Sequence, residues 1–448
     1  MENIEGREGY KKTELGWVPE EWEVKTFFEL IKLKIIEDIQ DGNHGELHPK
    51  TTDFVENGIP FIMANCIEKI NLLNIKNANK ISKEQYKSLR IGFSYPGDIL
   101  LTHKGSVGLT ALVKPEHGNI MLSPQVTYYR IKQVNYLNKE YLYYYLQSPY
   151  YQNIIKKLST QSTRAYIGIT AQKKLNCILP QIQEQKEIAQ ILSCWDKAIE
   201  RTEKLINARN QLKKGLMQKL LTGKKRFKEF IKSQSYKKTK IGKVPEDWQV
   251  LKASDIFKNY SDKNHPEEEL LSATQDKGVL PRNMLDGRVT MPEGDVKSYK
   301  LVNKGDFVIS LRSFQGGIEY SEYRGIVSPA YTVLKNIIPI EQQYYKYLFK
   351  SVDFISRLSV AVIGIRDGKQ ISYSDFAELN LYYPSIEEQQ KIASVLSNCD
   401  REIELLQNNL NSLKNQKKGL MQKLLTGQIR VSCCLNRDFQ DLRINRIF

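Results

Sequence analysis

Lys213-Lys214-Gly215-Leu216-Met217-Gln218-Lys219-Leu220-Leu221-Thr222-Gly223 occurs twice in this chain of 448 residues: it returns unchanged as residues 417–427. Eleven identities in a row do not arise by chance, so the segment marks an internal repeat. Upstream of the second copy, Ile392, Leu396, Cys399, Ile403, Leu406, Leu410, Leu413, Lys417, Leu420 and Leu424 recur in steps of four and three. This is a heptad stripe with one polar interruption, Lys417, and it predicts a long helix whose narrow apolar seam needs a partner. The first copy places Ile188, Leu192, Trp195, Ile199, Thr202, Ile206, Arg209, Lys213, Leu216 and Leu220 at the same positions, with a looser middle. Pro180 and Pro384 precede the helices, Ser385 and Glu388 have capping-box spacing, and Gly223 and Gly427 stand where helices end. A helix from about residue 183 to 222 is roughly 60 Å long at 1.5 Å per residue. The nearest partner for each helix is the other copy, packed antiparallel about a pseudo-two-fold axis.

A second repeat opens each half. Tyr10-Lys11-Lys12-Thr13-Glu14-Leu15-Gly16-Trp17-Val18-Pro19-Glu20-Glu21-Trp22 matches residues 236–248 at nine of 13 positions, at an offset of 226. Between these ends only weak anchors remain: Pro96-Gly97-Asp98 with Lys304-Gly305-Asp306, Ser123-Pro124 with Ser328-Pro329, and Leu175-Asn176 with Leu379-Asn380. The order is variable unit (1–180), helix (181–225), linker and variable unit (226–384), helix (385–427) and tail (428–448). Fixed ends with free middles suggest two modules doing one job on two different targets.

Each variable unit mixes short β-rich runs with turns. Residues 58–63, 98–102 and 125–130 read as strands in the first, and 306–311 and 330–334 in the second. Short Tyr/Leu-rich helices are expected at 139–147 and 342–350, with Tyr141, Tyr143, Tyr144 and Tyr145 as a packed face. The fold class is α+β: two mixed α/β units separated by two long antiparallel coiled-coil helices. The helix ends carry Leu216, Met217, Leu220 and Leu221, and Leu420, Met421, Leu424 and Leu425, apolar on more than one side. One side can face the sister helix. The other is left for a partner protein or for the chain's own modules.

Lys plus Arg is 67 and Asp plus Glu is 51, a net charge of +16 that favours a polyanionic partner such as nucleic acid. Base-reading side chains are expected on loops. The candidates are Thr102, His103, Lys104, Ser106, Gln161, Thr163 and Arg164 in the first unit, and Arg312, Ser313, Gln315, Arg366, Lys369 and Gln370 in the second. Arg and Lys can bond guanine, and Gln can bond adenine, in the major groove.

No catalytic set appears. Gly364 to Lys369 lacks phosphate-loop spacing, and no zinc-protease or hydrolase motif is found. The six cysteines fit neither a disulfide framework nor a zinc site, and His44 and His48 lie in a Gly/Pro-rich loop, so no metal is expected. No run of about 18 apolar residues exists for a membrane span. The acidic N-terminus does not read as a signal peptide, and a reducing, cytoplasmic compartment is expected.

Gly-x-Val-Pro-Glu-x-Trp in each half, Pro-x-Ile-x-Glu-Gln-x-x-Ile-Ala from Pro180 and again from Pro384, and the Gly-Leu-Met-Gln-Lys-Leu-Leu-Thr-Gly close together resemble the specificity subunit of type I restriction–modification enzymes. Asp-Gly-Asn-His at 41–44 with Gly-Ile-Pro-Phe-Ile at 58–62 is similar to one group of target-recognition domains. The resemblance covers about Tyr10 to Gly427; the tail beyond is a departure from the family pattern. It implies that each variable unit is a target-recognition domain for half of a bipartite, asymmetric DNA site, with the helices setting the spacer. It implies two methylase subunits docked on the helices, and restriction subunits. S-adenosylmethionine, ATP and Mg would then sit on those partners, with no cofactor and no activity in this chain. The alternatives are a recognition subunit of a methylation-only or other restriction system, and a coiled-coil scaffold that binds no DNA.

Overall fold

The computed structural model describes residues 8–68, 72–160, 165–275, 277–285, 296–311, 313–361 and 371–431. The chain forms two compact units, residues 1–201 with 409–448, and residues 202–408. The division falls inside the long helices Ile182–Leu220 and Ile386–Leu425, so each unit owns part of both. The linear order of five segments does not display this grouping.

The first unit is built on an antiparallel sheet with strand order Thr110–Leu112, Ile99–Thr102, Val126–Ile131, Ile36–Gln40. Its two central strands, Ile99–Thr102 and Val126–Ile131, are buried along most of their length because both faces are covered. Ile99, Leu101 and Tyr129 point into the main core, with Phe27, Tyr141, Tyr145 and Tyr151. Leu100, Val126 and Tyr128 point the other way, into a core shared with Ile62, Ile120 and Leu122 of a five-stranded mixed sheet. The helix Lys139–Gln147 lies where expected, and its Tyr141, Tyr144 and Tyr145 are buried.

The second unit repeats this plan. Its sheet runs Glu319–Tyr320, Phe307–Ile309, Thr332–Asn336, Phe257–Tyr260, antiparallel throughout. Phe307, Ile309 and Leu334 face one core, Val308 and Val333 the other. A helix at Gln342–Phe349 buries Tyr344, Tyr345 and Tyr347.

The constant motifs act as clasps. In the first unit the buried Trp22 donates from Nε1 to Glu184 Oε2 (3.0 Å). Arg430 holds the same carboxylate through Nε (2.8 Å) and Nη2 (3.1 Å), lies 5.6 Å from the Trp22 ring centre, and reaches Glu21 at 2.7 Å. In the second unit Trp248 donates to Glu388 (2.8 Å), and Arg226 holds Glu388 at 2.8 Å through Nε and Nη2 and Asp247 at 2.6 Å. Arg226 follows the first helix and Arg430 follows the second. The first unit is therefore closed by residues from the far end of the chain, and the second by residues just before it. The tail left without a role by sequence thus begins inside the first unit: Val431 is also buried there.

Each helix ends in a glycine of positive φ, Gly223 (+70°) and Gly427 (+72°). A β-carbon there would fall 2.6 Å from Pro245 and 2.3 Å from Pro19, so the Val-Pro of each opening motif seats directly on the glycine. Gln185 and Gln389 accept from the main-chain N–H of Asn138 (2.9 Å) and Glu341 (3.0 Å), tying each long helix to the start of a short one. The expected capping box is half made. The Glu388 N–H donates to Ser385 Oγ (3.3 Å), while its carboxylate goes to Trp248 and Arg226.

Within each unit the helix segments are antiparallel. Asp196 pairs with Lys417 (2.5 Å) and Glu184 with Arg430 in the first. Asp400 pairs with Lys213, and Glu402 with Arg209 (2.8 Å), in the second. The polar interruption in the heptad stripe is thus an ion pair.

The leucine-rich helix ends require a correction. Leu220 and Leu221 are buried in the core of the second unit, with Leu216 and Met217 packed against it. Met421, Leu424 and Leu425 are buried in the core of the first, with Leu420 against it. Their apolar faces are covered by the chain's own units and are not left open for a partner. No helix among the described residues is long and apolar enough to cross a membrane.

Candidate nucleic-acid interface

In each central sheet three loops converge at one end. In the first unit Gln40 pairs with Tyr128, and Thr102 with Val126. The loops 41–48, 103–108 and 123–125 therefore leave the sheet together. They enclose a cleft of about 290 Å³ lined by His44, His48, Met63, Lys104, Ser123 and Gln125 among others.

Charge in this region is organised around Asp41, which is buried. Its Oδ2 lies 2.8 Å from His44 Nε2 and 3.6 Å from His103 Nε2. His103 Nδ1 meets the Ile167 carbonyl at 3.0 Å, and Nε2 is buried without a hydrogen-bond partner. Burial lowers the His103 pKa below its ordinary value, outweighing the opposing pull of the Ile167 carbonyl and Asp41. The loop is zipped to its neighbour: Ile167 N–H donates to the His103 carbonyl (2.9 Å) and Gly105 N–H to Ala165 (3.0 Å).

The expected contacts divide accordingly. Lys104 and Ser106 are exposed at the rim. Thr102 and His103 are not surface residues. The Thr102 hydroxyl accepts from Leu109 N–H (2.9 Å) to close the turn, and His103 is only 1% exposed. Alternation along the strand turns Thr102 inward, and the zipped loop holds His103 under cover. Gln161, Thr163 and Arg164 lie outside the described residues.

In the second unit Gln315 is exposed, 3.5 Å from Gln275. Ser313 is buried and accepts from Ser310 N–H (2.8 Å), so it shapes the loop and does not face outward. Arg312, Arg366, Lys369 and Gln370 lie outside the described residues.

The structure also brings forward residues that the sequence did not mark as DNA contacts. His44, His48 and Gln125 line the first cleft. Asp41-x-Asn43-His44 returns as Asp262-x-Asn264-His265, in the loop after the corresponding strand of the second unit. There His265 Nε2 lies 2.9 Å from Asp262 Oδ1, and the Tyr260 hydroxyl donates to Oδ2 (3.0 Å). Hydrogen bonding to Asp262 raises the His265 pKa, and the same bond lowers that of Asp262. The recurrence was legible at an offset of 221, between the offsets of the flanking repeats. No cluster of His, Cys, Asp or Glu among the described residues could hold a metal ion.

Comparison with known proteins follows the same duplication. The family model described as a type I restriction modification DNA specificity domain matches residues 19–210 and 245–415. A putative type I restriction enzyme MjaX specificity subunit of Methanocaldococcus jannaschii is 28% identical, over 95% of this chain and 97% of its own. The MjaVIII specificity subunit of the same organism is also 28% identical, over 95% and 96%. Among solved structures, an S subunit of a type I restriction-modification system from M. genitalium aligns with a TM-score of 0.51 at 17% identity, covering 90% of this chain and 96% of that one. A chain from a type I R-M system studied for complex assembly and conformational transition gives 0.54 at 13% identity, covering 92% and 99%.

Proposed function

The chain belongs to the type I restriction–modification DNA specificity family, and on that premise we propose that its two units each read one half of a bipartite, asymmetric DNA site. One observation carries this reading. The two units keep the same sheet order and the same Trp–Glu–Arg clasp, while the loops at the reading end differ in length and sequence. A duplicated frame with unlike loops suits one task on two sequences. The long helices are proposed to set the number of base pairs between the half-sites. The chain itself recognises and does not catalyse.

Two methylase subunits are the proposed partners on the helices, with restriction subunits joining them; S-adenosylmethionine, ATP and Mg would belong to those chains. The docking face is not the leucine-rich one. Within the unchanged repeat, Lys214, Gln218 and Lys219, and their copies Lys418, Gln422 and Lys423, are exposed, with no side-chain partner found among the described residues. Gly215 and Gly419 sit mid-helix in open space, although glycine costs a helix about 1 kcal/mol relative to alanine. Residues kept identical in both copies without a role inside the chain suit two copies of one partner approaching closely.

The test is reconstitution with methylase subunits in a reducing, cytoplasm-like buffer. The expected result is two methylases per chain, adenine methylation at one bipartite sequence, and DNA affinity that falls steeply with salt. Methylation without sequence preference, or binding indifferent to salt, would overturn the proposal.

A further inference from the structure

The cleft of the first unit has a chemical sign. Among the described residues no carboxylate lines it. Asp41, beneath it, is buried and turned toward His44 and His103. Gln125 uses its Oε1 to accept from Ala64 N–H (3.1 Å), which leaves its amide N–H group to face a ligand. Lys104 is exposed, and its main chain is fixed by a bridge to Tyr166, so its ammonium projects from an anchored position. An ammonium offers three donors and no acceptor. Alongside His44, His48 and Ser123, these two side chains therefore present donors beside apolar Met63 and Pro124.

Of the four base edges in the major groove, only guanine offers two acceptors, O6 and N7, with neither a donor nor a methyl group. A phosphate is also acceptor-only. But a half-buried amide in a cleft that also holds apolar Met63 and Pro124 suits the flat edge of a base better than a tetrahedral anion. We propose that the first unit reads a guanine through Lys104 and Gln125. This rests on the DNA-recognition reading above and adds the base and the two side chains.

The experiment uses the chain assembled with its methylase subunits. Binding is measured to duplexes in which each guanine of the half-sites is replaced in turn by adenine, by 7-deazaguanine and by inosine. At one guanine of one half-site, adenine is expected to weaken binding about ten-fold or more. 7-Deazaguanine, which lacks N7, should weaken it too, and inosine, which keeps O6 and N7, should not. Lys104→Ala and Gln125→Ala should abolish discrimination at that base and leave the other half-site unchanged, and Lys104→Arg should retain it. Equal weakening on all sequences would assign these residues to phosphate and overturn the inference. So would discrimination that persists in both alanine variants. If the unaltered complex prefers no sequence at all, the recognition reading falls first and this inference with it.

Discussion

The Lys417 ammonium is bonded to Asp196 at 2.5 Å, at a heptad position flanked by Leu413 and Leu420. The Tyr144 hydroxyl donates to the other oxygen of Asp196 at 2.7 Å, and Lys417 lies 5.2 Å from the Tyr144 ring centre. The second unit holds the same trio in Lys213, Asp400 and Tyr347, with the tyrosine bond again 2.7 Å. A polar pair at a seam position fixes register, because a slipped helix leaves a half-buried ammonium facing carbon.

A double-mutant cycle with Lys417→Leu and Asp196→Asn, read by urea unfolding, is expected to give a coupling of about 1 kcal/mol, modest because Asp196 is partly exposed. Zero coupling would remove the register role.

Arg430→Met strips Glu184 of its cation while leaving its carboxylate nearly buried under Trp22. Breaking a buried pair from one side costs about 3–5 kcal/mol. Thermal unfolding should show the first unit losing stability on that scale, and Arg226→Met should do the same to the second. A surface-like effect below about 0.5 kcal/mol would contradict the clasp.

Glycines of one repeat should behave in opposite ways. Gly427→Ala places a β-carbon 2.3 Å from Pro19 at a positive φ, and a loss of about 1–3 kcal/mol is expected. Gly215→Ala and Gly419→Ala meet nothing within 4 Å, so each should stabilise the free chain by about 0.5–1 kcal/mol. The same two changes should weaken methylase binding. Calorimetric melting, and titration with methylase, check both halves of this prediction.

The histidines should titrate apart. Asp262 raises the pKa of His265, so the stability from that pair is complete below about 6.5 and is lost as pH rises through the folded value. Burial lowers that of His103, so its contribution is present above about 6.5 and is lost as pH falls through the folded value. Ring-resonance NMR should place His265 above and His103 below the ordinary value, and Asp262→Asn should bring His265 back toward it.

The frame was legible because repetition makes it so. The heptad stripe gives the helices, and Gly223 and Gly427 give their ends. The strands at 99–102 and 126–131 show as apolar runs, since both faces of the sheet are covered. The clasps were visible as motifs but not as contacts. Nothing in the local pattern says that Trp22 meets a carboxylate 162 residues away, or that Arg430 joins it from the tail. The leucines of the repeat misled for a related reason. Periodicity shows that a face is apolar, not what covers it. At the reading end, Thr102 and His103 have the chemistry of base contacts, but alternation and loop pairing turn them inward. Gln125 escaped notice because only the fold brings it to the same cleft as Lys104.

The central claim is that each unit specifies one half-site independently. The most direct measurement exchanges residues 249–383, between the second opening motif and the second helix, for the same segment of another family member, then maps methylated adenines in cells carrying the methylase. The account predicts that one half-site changes while the other half-site and the spacer length stay the same. An unchanged methylated sequence, or a change in both halves at once, would contradict it.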